Sequence, residues 1–351
     1  MLTTLFHIPT HIQWGERFIP LFGIGVLLAI VTVLGSVMVV MASRKHGWKS
    51  ALSILGGPLI VAMALVSFVL PALNDGQGIP IRGYGVMLLF AAASGIWLSI
   101  SRGRSMGFDA DTILALGMEI FLSGILGARV FYVVEYWENF FPAGRSFLES
   151  MIDVINIPSG GLVVFGSLPS AAVAAWWFAK RRNLSLLKLA DCIAPGMLVG
   201  LALGRLGCFL NGCCYGGPCD LPWAVSFPPG SPPWMDQIQR GVLSQLPGQV
   251  SQPWSLPIHP AQLYAALDAA LLAGLSIAYT PFAKREGEVF ALILTLHPLS
   301  RILLEEIRID EPPALGTPLS ISQLISVMLF LLATLLWWWI GARTVRVPLK
   351  D

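Results

Sequence analysis

The sequence predicts an all-α, polytopic integral membrane protein with about nine transmembrane helices. Hydrophobic residues make up 55% of the 351-residue chain and charged residues only 12%, and the mean hydropathy is +0.72. Soluble domains do not have this composition. Apolar runs of membrane-spanning length occur near 21–41, 51–73, 84–101, 112–134, 160–180, 190–211, 261–282, 287–305 and 320–342. A formal net charge of +2 indicates no nucleic-acid partner.

The distribution of positive charge predicts the orientation in the membrane. If the loop after the first run is cytoplasmic, most of the Lys and Arg residues fall on that side, for example in 44–49, 180–188 and 284–285. Cytoplasmic loops are enriched in Lys and Arg, so we expect the N-terminus outside and the C-terminus inside. The first twenty residues lack the basic stretch of a cleavable signal peptide, and we expect them to form an outer interfacial arm.

The most informative stretch is PGMLVGLALGRLGCFLNGCCYGG at 195–217. It begins as an apolar helix that carries Arg205 near its end. Such an arginine either snorkels to the membrane surface or faces protein, water or an anionic ligand. Small residues before it permit close approach of another helix or a headgroup, and Asn211, Gly212 and Gly216 predict a turn with exposed amides. The stretch is therefore a candidate anion site.

Two later spans carry further candidates. His297, Arg301, Glu305 and Arg308 are spaced by four, four and three residues, which places them on one helical face. A salt-bridged surface stripe is the alternative, and it is weaker in so apolar a segment. The seventh run opens with IHPAQLYAALDAALL, where His259 either serves a site or begins the helix by bonding the preceding loop.

The loop at 212–260 contains many prolines and three tryptophans, and this composition predicts an ordered extracytoplasmic cap. Four cysteines, Cys208, Cys213, Cys214 and Cys219, lie within twelve residues. On an outer surface, Cys208 or Cys213 could form a disulfide with Cys219. A zinc site is less favoured because C-x4-CC-x4-C lacks the usual short ligand spacing. We therefore expect no metal and no cofactor.

The core LADCIAPGMLVGLALGRLGCFLNGCCYG resembles the signature of the bacterial prolipoprotein diacylglyceryl transferase family. GYG at 83–85, GAR at 127–129, GGLVVFGSL at 160–168, HPAQLY at 259–264 and R-x-x-x-E-x-x-R at 301–308 match other family motifs in order. The resemblance covers 79–342. It suggests a seven-helix core at 79–351, with 212–260 as its cap, preceded at 1–78 by an arm and two extra helices.

The resemblance implies transfer of the diacylglyceryl group of phosphatidylglycerol to the lipobox cysteine thiol of a prolipoprotein, with release of glycerol 1-phosphate. The implied partners are phosphatidylglycerol, the prolipoprotein signal peptide and membrane lipids, and the implied location is the bacterial inner membrane, with the site extracytoplasmic. The expected catalytic residues are Arg205, Arg301, His297 and His259. The expected substrate-binding residues are Tyr84, Arg129, Asn211, Gly212, Gly216, Gln262, Tyr264, Glu305 and Arg308.

The chain departs from the family pattern at four positions. Cys208 and Cys213 replace the usual asparagine and glutamate, Phe165 replaces a histidine found in many members, and His297 replaces a tyrosine. Because Phe165 cannot accept a proton, we expect His297 to act as general base or as hydrogen-bond partner of the leaving group. The alternative is a diverged, non-catalytic paralogue that binds or transports membrane lipid.

Overall fold

A computed structural model of the chain describes residues 4–14, 17–22, 25–142, 144–157, 160–161, 163–243, 254–309, 314 and 316–342. The chain divides into two compact units, residues 1–86 with 210–212 and residues 87–209 with 213–351. Part of the expected cap, 244–253, and the C-terminal residues 343–351 lie outside the described residues, as does the side chain of Phe165. The expected division between 78 and 79 stays a prediction.

The first unit contains short strands as well as helices. Strands β1 (Thr4–Ile8) and β4 (Ile79–Arg82) pair antiparallel, and β2 (His11–Trp14) pairs with β3 (Arg17–Pro20). The sequence analysis anticipated no strands here. Helix α1 (Val26–His46) packs on α2 (Trp48–Ala64), which continues through a π-helical turn (Leu65–Val69) into α3 (Leu70–Ala72).

The second unit is helical. Its elements begin with the remainder of α4 (Gly83–Ser105), followed by α5 (Ala110–Glu135), α6 (Trp137–Phe140), α7 (Phe147–Ile155), α8 (Val164–Arg181) and α9 (Leu186–Asn211). After the cap come α10 (Pro232–Gln239), α11 (Ala261–Tyr279) with a 3₁₀ turn (Thr280–Phe282), α12 (Glu288–Glu305) and α13 (Ile321–Ala342). The protein is therefore an all-α polytopic membrane protein apart from the short strands.

Seven helices in the described part of the chain are long and apolar enough to span a membrane. They are Val26–Arg44, Trp48–Ala72, Gly83–Ser105, Ala110–Glu135, Leu186–Asn211, Ala261–Phe282 and Ile321–Ala342. The other two predicted spans form the 18-residue helices α8 and α12, whose charged residues lower their hydropathy. The total of nine membrane crossings stays a prediction.

Small residues bring helices of the second unit into backbone contact. A Cβ atom on Gly127 of α5 would lie 2.5 Å from the Gly166 carbonyl oxygen of α8, and one on Gly166 would lie 2.2 Å from the Gly127 oxygen. Gly95 of α4 and Gly196 of α9 are matched in the same way, with 2.9 and 2.5 Å to each other's oxygens. Close approach of this kind compensates for the absence of a hydrophobic driving force between helices in lipid.

The start of α12 is fixed by a buried carboxylate on α9. Asp191 accepts hydrogen bonds from the backbone N–H groups of Gly287 (2.6 Å) and Phe290 (2.8 Å). These N–H groups at a helix start have no partner within the helix itself, and a carboxylate also suits the positive end of the helix dipole. Since α9 carries Arg205 and α12 carries Arg301, this bond fixes the relative position of the two helices that hold the main candidate residues.

Candidate active site

A small cavity lies between α9, α11, α12 and the beginning of the cap. Its lining combines a few apolar side chains with a concentration of ionisable ones. The lining residues are Leu201, Arg205, Cys214, Ala261, Ala265, Asp268, His297, Arg301, Leu304 and Arg308. Four of the residues expected from sequence, three of them arginines, therefore border one space.

The stripe predicted on α12 faces this cavity. Arg301 Nη1 forms a close ion pair with Glu305 Oε2, and Arg308 Nη1 lies 3.7 Å from the same oxygen. Ser320 Oγ donates to Glu305 Oε1 at 3.1 Å. The Glu305 side chain is only 4% exposed, and its carboxylate holds the two guanidinium groups in position. We therefore interpret Glu305 as a positioning residue for Arg301 and Arg308.

Arg205 approaches the cavity from α9. It is half-buried, and within the described ranges no carboxylate forms an ion pair with it. Its charge is therefore not neutralised by an acidic side chain there, unlike the charge of Arg301. A partly desolvated guanidinium without a protein anion is suited to bind a phosphate or carboxylate, because it presents a planar fork of donors.

His297 and Asp268 form a second polar pair on the cavity wall. Asp268 Oδ2 lies 3.7 Å from His297 Nδ1 and accepts a hydrogen bond from Ser300 Oγ at 2.8 Å. His297 Nδ1 is buried and makes no hydrogen bond in this geometry. A small movement would bring the ring nitrogen into hydrogen-bonding range of the carboxylate and leave Nε2 for a reacting group. This arrangement is that of an imidazole base oriented by an acid.

Backbone hydrogen bonds of Gly216 and Gly217 join the cap to the residues just before α11 and just after α12. The N–H of Gly216 donates to the His259 carbonyl (3.0 Å), and the N–H of Gly217 donates to the Ile307 carbonyl (2.8 Å). A Cβ atom at Gly216 would lie 2.6 Å from His259 Cβ and 3.0 Å from the Ile307 oxygen. Only glycine permits this approach, which places Arg308 and Cys214 beside the cavity.

The other expected residues near the start of α11 act on the cap. Gln262 is 1% exposed and donates to the Cys213 carbonyl at 2.8 Å. Tyr264 accepts a hydrogen bond from Trp223 Nε1 at 2.7 Å, and His259 Nδ1 lies 3.4 Å from the Tyr264 hydroxyl. None of these three residues lines the cavity. Their assignment to catalysis or substrate binding stays a prediction.

The cysteine arrangement differs from the sequence-based expectation. None of the five cysteines forms a disulfide, so neither suggested pairing with Cys219 is present. Cys219 is buried, and its N–H is bound to the Pro257 carbonyl at 3.1 Å. Cys208, Cys213 and Cys214 instead gather, with their sulfur atoms within 4.8 Å of one another. Cys214 also lines the cavity.

Arg129 lies in a different environment. Its Nε donates to the Val154 carbonyl (2.9 Å), Nη1 to those of Gly160 and Gly161 (2.7 and 2.9 Å), and Nη2 to those of Asp153 and Asn156 (2.6 and 3.1 Å). The residue is 6% exposed. These contacts occupy the donor nitrogens with backbone oxygens, so this geometry does not support the expected role in binding substrate.

Tyr84, Asn211 and Gly212 belong to the first unit. Their assignment as headgroup ligands stays a prediction.

Sequence reasoning did not assign Asp268 or Cys214 to the site. Asp268 could be recognised from sequence only as a carboxylate in an apolar span, which requires a polar partner. Cys214 has no sequence signal of this kind. It adopts a left-handed backbone conformation, with φ of +59°, and this conformation is uncommon for residues other than glycine.

The fold and the site together define a polytopic membrane protein whose interior cavity presents arginines from α9, from α12 and from the turn after α12. This is the construction expected of a protein that handles an anionic, membrane-embedded substrate. Comparison with known proteins specifies the class further.

The family model for prolipoprotein diacylglyceryl transferase matches residues 71–339. A phosphatidylglycerol–prolipoprotein diacylglyceryl transferase of Rhodopirellula baltica is 36% identical over 258 residues, which cover 71% of this chain and 51% of that protein. This chain therefore spans about half the length of that relative. A protein of the same name from Polynucleobacter necessarius is 31% identical over 70% of this chain and 86% of its own length. One from Clostridium tetani is 28% identical over 73% and 92%.

The chain belongs to the prolipoprotein diacylglyceryl transferase family. The resemblance inferred from the motifs is thereby confirmed.

Proposed function

We propose that this protein transfers the diacylglyceryl group of phosphatidylglycerol to the cysteine thiol of a prolipoprotein, forming a thioether and releasing glycerol 1-phosphate. The relatives' names supply both substrates. The observation that carries the proposal is the cavity bordered by Arg205, Arg301 and Arg308, because a phosphate leaving group requires cations at the reacting centre.

The reaction is a displacement at carbon. The cysteine sulfur supplies the electron pair of the new C–S bond, and the C–O bond to the phosphate breaks with its pair on the phosphate oxygen. Arginines placed before the reaction stabilise the charge that develops on this oxygen, most effectively in a site with little water. Arg205 and Arg301 approach from different helices and can contact the phosphate from two sides.

The thiol proton has a nearby acceptor in His297. An unperturbed cysteine has a pKa of about 8.5, so modest help is enough to generate the nucleophilic thiolate. Neutral His297 would accept the proton at Nε2, and Asp268, 3.7 Å from Nδ1, would orient the ring and stabilise its charged form. His297 is the proposed base, and Asp268 is a positioning residue.

The proposal also assigns the polypeptide partner, the orientation in the membrane and the role of the residues that hold the cap. The polypeptide partner is the prolipoprotein signal peptide, which presents its lipobox cysteine at the membrane. The distribution of basic residues supports a bacterial inner-membrane protein with its N-terminus and site outside and its C-terminus inside. Gly216, Gln262, Tyr264 and His259 act by joining the cap to α11 and α12 around the cavity.

Complementation tests the proposal. A strain depleted of its own transferase, supplied with this chain, should convert a reporter prolipoprotein to the form whose mass is increased by one diacylglyceryl group. Arg205→Ala should fail to do so. Arg181→Ala is the matched control, because Arg181 pairs with Glu119 at 2.6 Å and is half exposed. A well-expressed wild-type protein that leaves the reporter unmodified would overturn the enzyme assignment, and lipid movement between vesicles without lipidation would favour the transport alternative.

A further inference from the structure

Three thiols lie beside the arginine cavity and have no role in the scheme above. Cys208 lies in the last turn of α9, and Cys213 and Cys214 follow that helix. Each is half-buried, and each offers one sulfur atom to the group. Cys214 connects the group to the reaction site, because it also lines the cavity with Arg205, Arg301 and Arg308.

The spacing of the sulfur atoms fits a soft metal ion. A tetrahedral zinc with Zn–S bonds of about 2.3 Å holds its sulfurs roughly 3.8 Å apart. The three Sγ atoms already lie within 4.8 Å of one another, so shifts of about an ångström close the site. Thiolates select zinc and other thiophilic ions over magnesium or calcium. Three protein ligands leave one tetrahedral position open, which is the arrangement of catalytic rather than structural zinc sites.

Positive charge lies beside the three thiols, because Arg205 and Arg308 line the cavity together with Cys214. Zn²⁺ with three thiolates carries a net charge of −1. The adjacent guanidinium groups therefore attract the loaded site, although they would repel a bare dication.

We propose that Cys208, Cys213 and Cys214 bind a zinc ion whose open fourth position faces the cavity and receives the thiol of the incoming prolipoprotein cysteine. This inference rests on the proposed function for the identity of the fourth ligand, but not for the metal site itself. Two of these three cysteines, Cys208 and Cys213, are positions at which this chain departs from the family pattern.

The transfer reaction needs no oxidant when the substrate thiol is the fourth ligand of the zinc. As the substrate sulfur binds zinc, its proton passes to His297, and metal coordination keeps the sulfur as thiolate at neutral pH. That sulfur then supplies the electron pair of the C–S bond, and the departing phosphate keeps the pair of the C–O bond. The zinc changes neither oxidation state nor protein ligands.

Metal analysis of the full-length protein in detergent tests the site directly. Wild-type protein prepared with zinc under reducing conditions should retain about one zinc per chain, as expected for a mononuclear site. Cys208→Ser/Cys213→Ser/Cys214→Ser should retain less than about a tenth of that. The matched control is Cys192→Ser/Cys219→Ser, which removes two cysteines outside the group and should keep the metal.

Cobalt provides a second measurement that does not depend on the folding of the triple variant. Co²⁺ added to metal-free wild-type protein should give thiolate-to-cobalt charge-transfer bands and the strong visible bands of tetrahedral cobalt, which Zn²⁺ abolishes. A peptide with a lipobox cysteine should change the visible bands, and its serine analogue should not. Identical spectra with the two peptides would overturn the open fourth position.

A wild-type zinc content equal to that of the triple variant would overturn the metal site as a whole. A lipidation rate of wild-type protein that a zinc chelator leaves unchanged while removing the metal would overturn the role of the zinc in the reaction. Both outcomes leave the proposed transferase activity intact, whereas zinc bound without any lipidation would refute the transferase activity and leave the three-cysteine site standing.

Discussion

Replacing Arg205 by alanine should remove most of the turnover while leaving the fold stable. No carboxylate in the described part of the chain forms an ion pair with Arg205, so truncation leaves no acidic partner buried without its counter-ion. Arg301 is different, because Arg301→Ala removes the close ion pair of Glu305, whose side chain is only 4% exposed. The two substitutions therefore separate loss of a substrate contact from loss of an internal ion pair.

The magnitude follows from the contact that is lost. A hydrogen bond to a charged group contributes about 1.5–3 kcal/mol, and about 1.4 kcal/mol corresponds to a factor of ten. If Arg205 contacts the phosphate as charge develops, Arg205→Ala should lower kcat/KM by roughly 10- to 150-fold. Arg205→Lys should recover little of this, since an ammonium group cannot reproduce a planar two-pronged contact. Arg301→Ala should in addition lower the free energy of unfolding by up to about 3–5 kcal/mol.

The assay measures release of glycerol phosphate from phosphatidylglycerol vesicles in the presence of a lipobox peptide, alongside thermal unfolding in detergent. Arg181→Ala serves as the control, because its ion pair with Glu119 is half exposed. Wild-type kcat/KM in Arg205→Ala would refute the phosphate contact. A large fall in its Tm would show instead that Arg205 stabilises the fold.

Three further predictions test the surrounding site. His297→Ala should lower kcat and flatten its dependence on pH, and Asp268→Asn should reproduce part of this effect; equal pH profiles in wild type and His297→Ala would exclude proton transfer by His297. Gly216→Ala should destabilise the protein and reduce activity, since its Cβ would lie 2.6 Å from His259, whereas Gly204→Ala, with nothing within 4 Å, should do neither. Arg129→Lys should lower Tm but leave KM for the lipid unchanged in the folded fraction, and a raised KM with normal Tm would restore Arg129 as a lipid ligand.

Local periodicity was sufficient to predict much of the membrane core and part of the site. The apolar runs correspond to helices, because a chain in lipid must satisfy its backbone groups within each segment. The spacing of His297 and Arg301 placed both beside one cavity, since residues four apart share a helical face. Arg308 also lines that cavity, but it lies beyond the end of α12 at Glu305. Arg205 could be identified because an arginine in an apolar helix is costly.

Contacts between distant segments were not predictable in the same way. Asp268 joins the site because α11 packs on α12, and no spacing within either helix encodes that contact. Strand β1 pairs with β4 across more than seventy residues, in segments whose short polar and apolar runs carry no clear alternation. For the cysteines, their closeness in sequence on an outer surface suggested pairing with Cys219, whereas the backbone turn at Cys214 groups it with Cys208 and Cys213.

Arg129 and Arg205 show why residue type and local setting together do not determine a role. Each is an arginine near the end of an apolar helix, where removing a guanidinium group from water is costly. Arg129 donates hydrogen bonds of 2.6–3.1 Å to the backbone carbonyl groups of Asp153, Val154, Asn156, Gly160 and Gly161. These bonds offset the cost of removing its guanidinium group from water. No carboxylate of the described residues forms an ion pair with Arg205, and the cost is left for a ligand to offset. A buried arginine is available for catalysis only where the protein does not already occupy its donor nitrogens with hydrogen bonds or an ion pair. Whether it does so depends on segments that are remote in sequence.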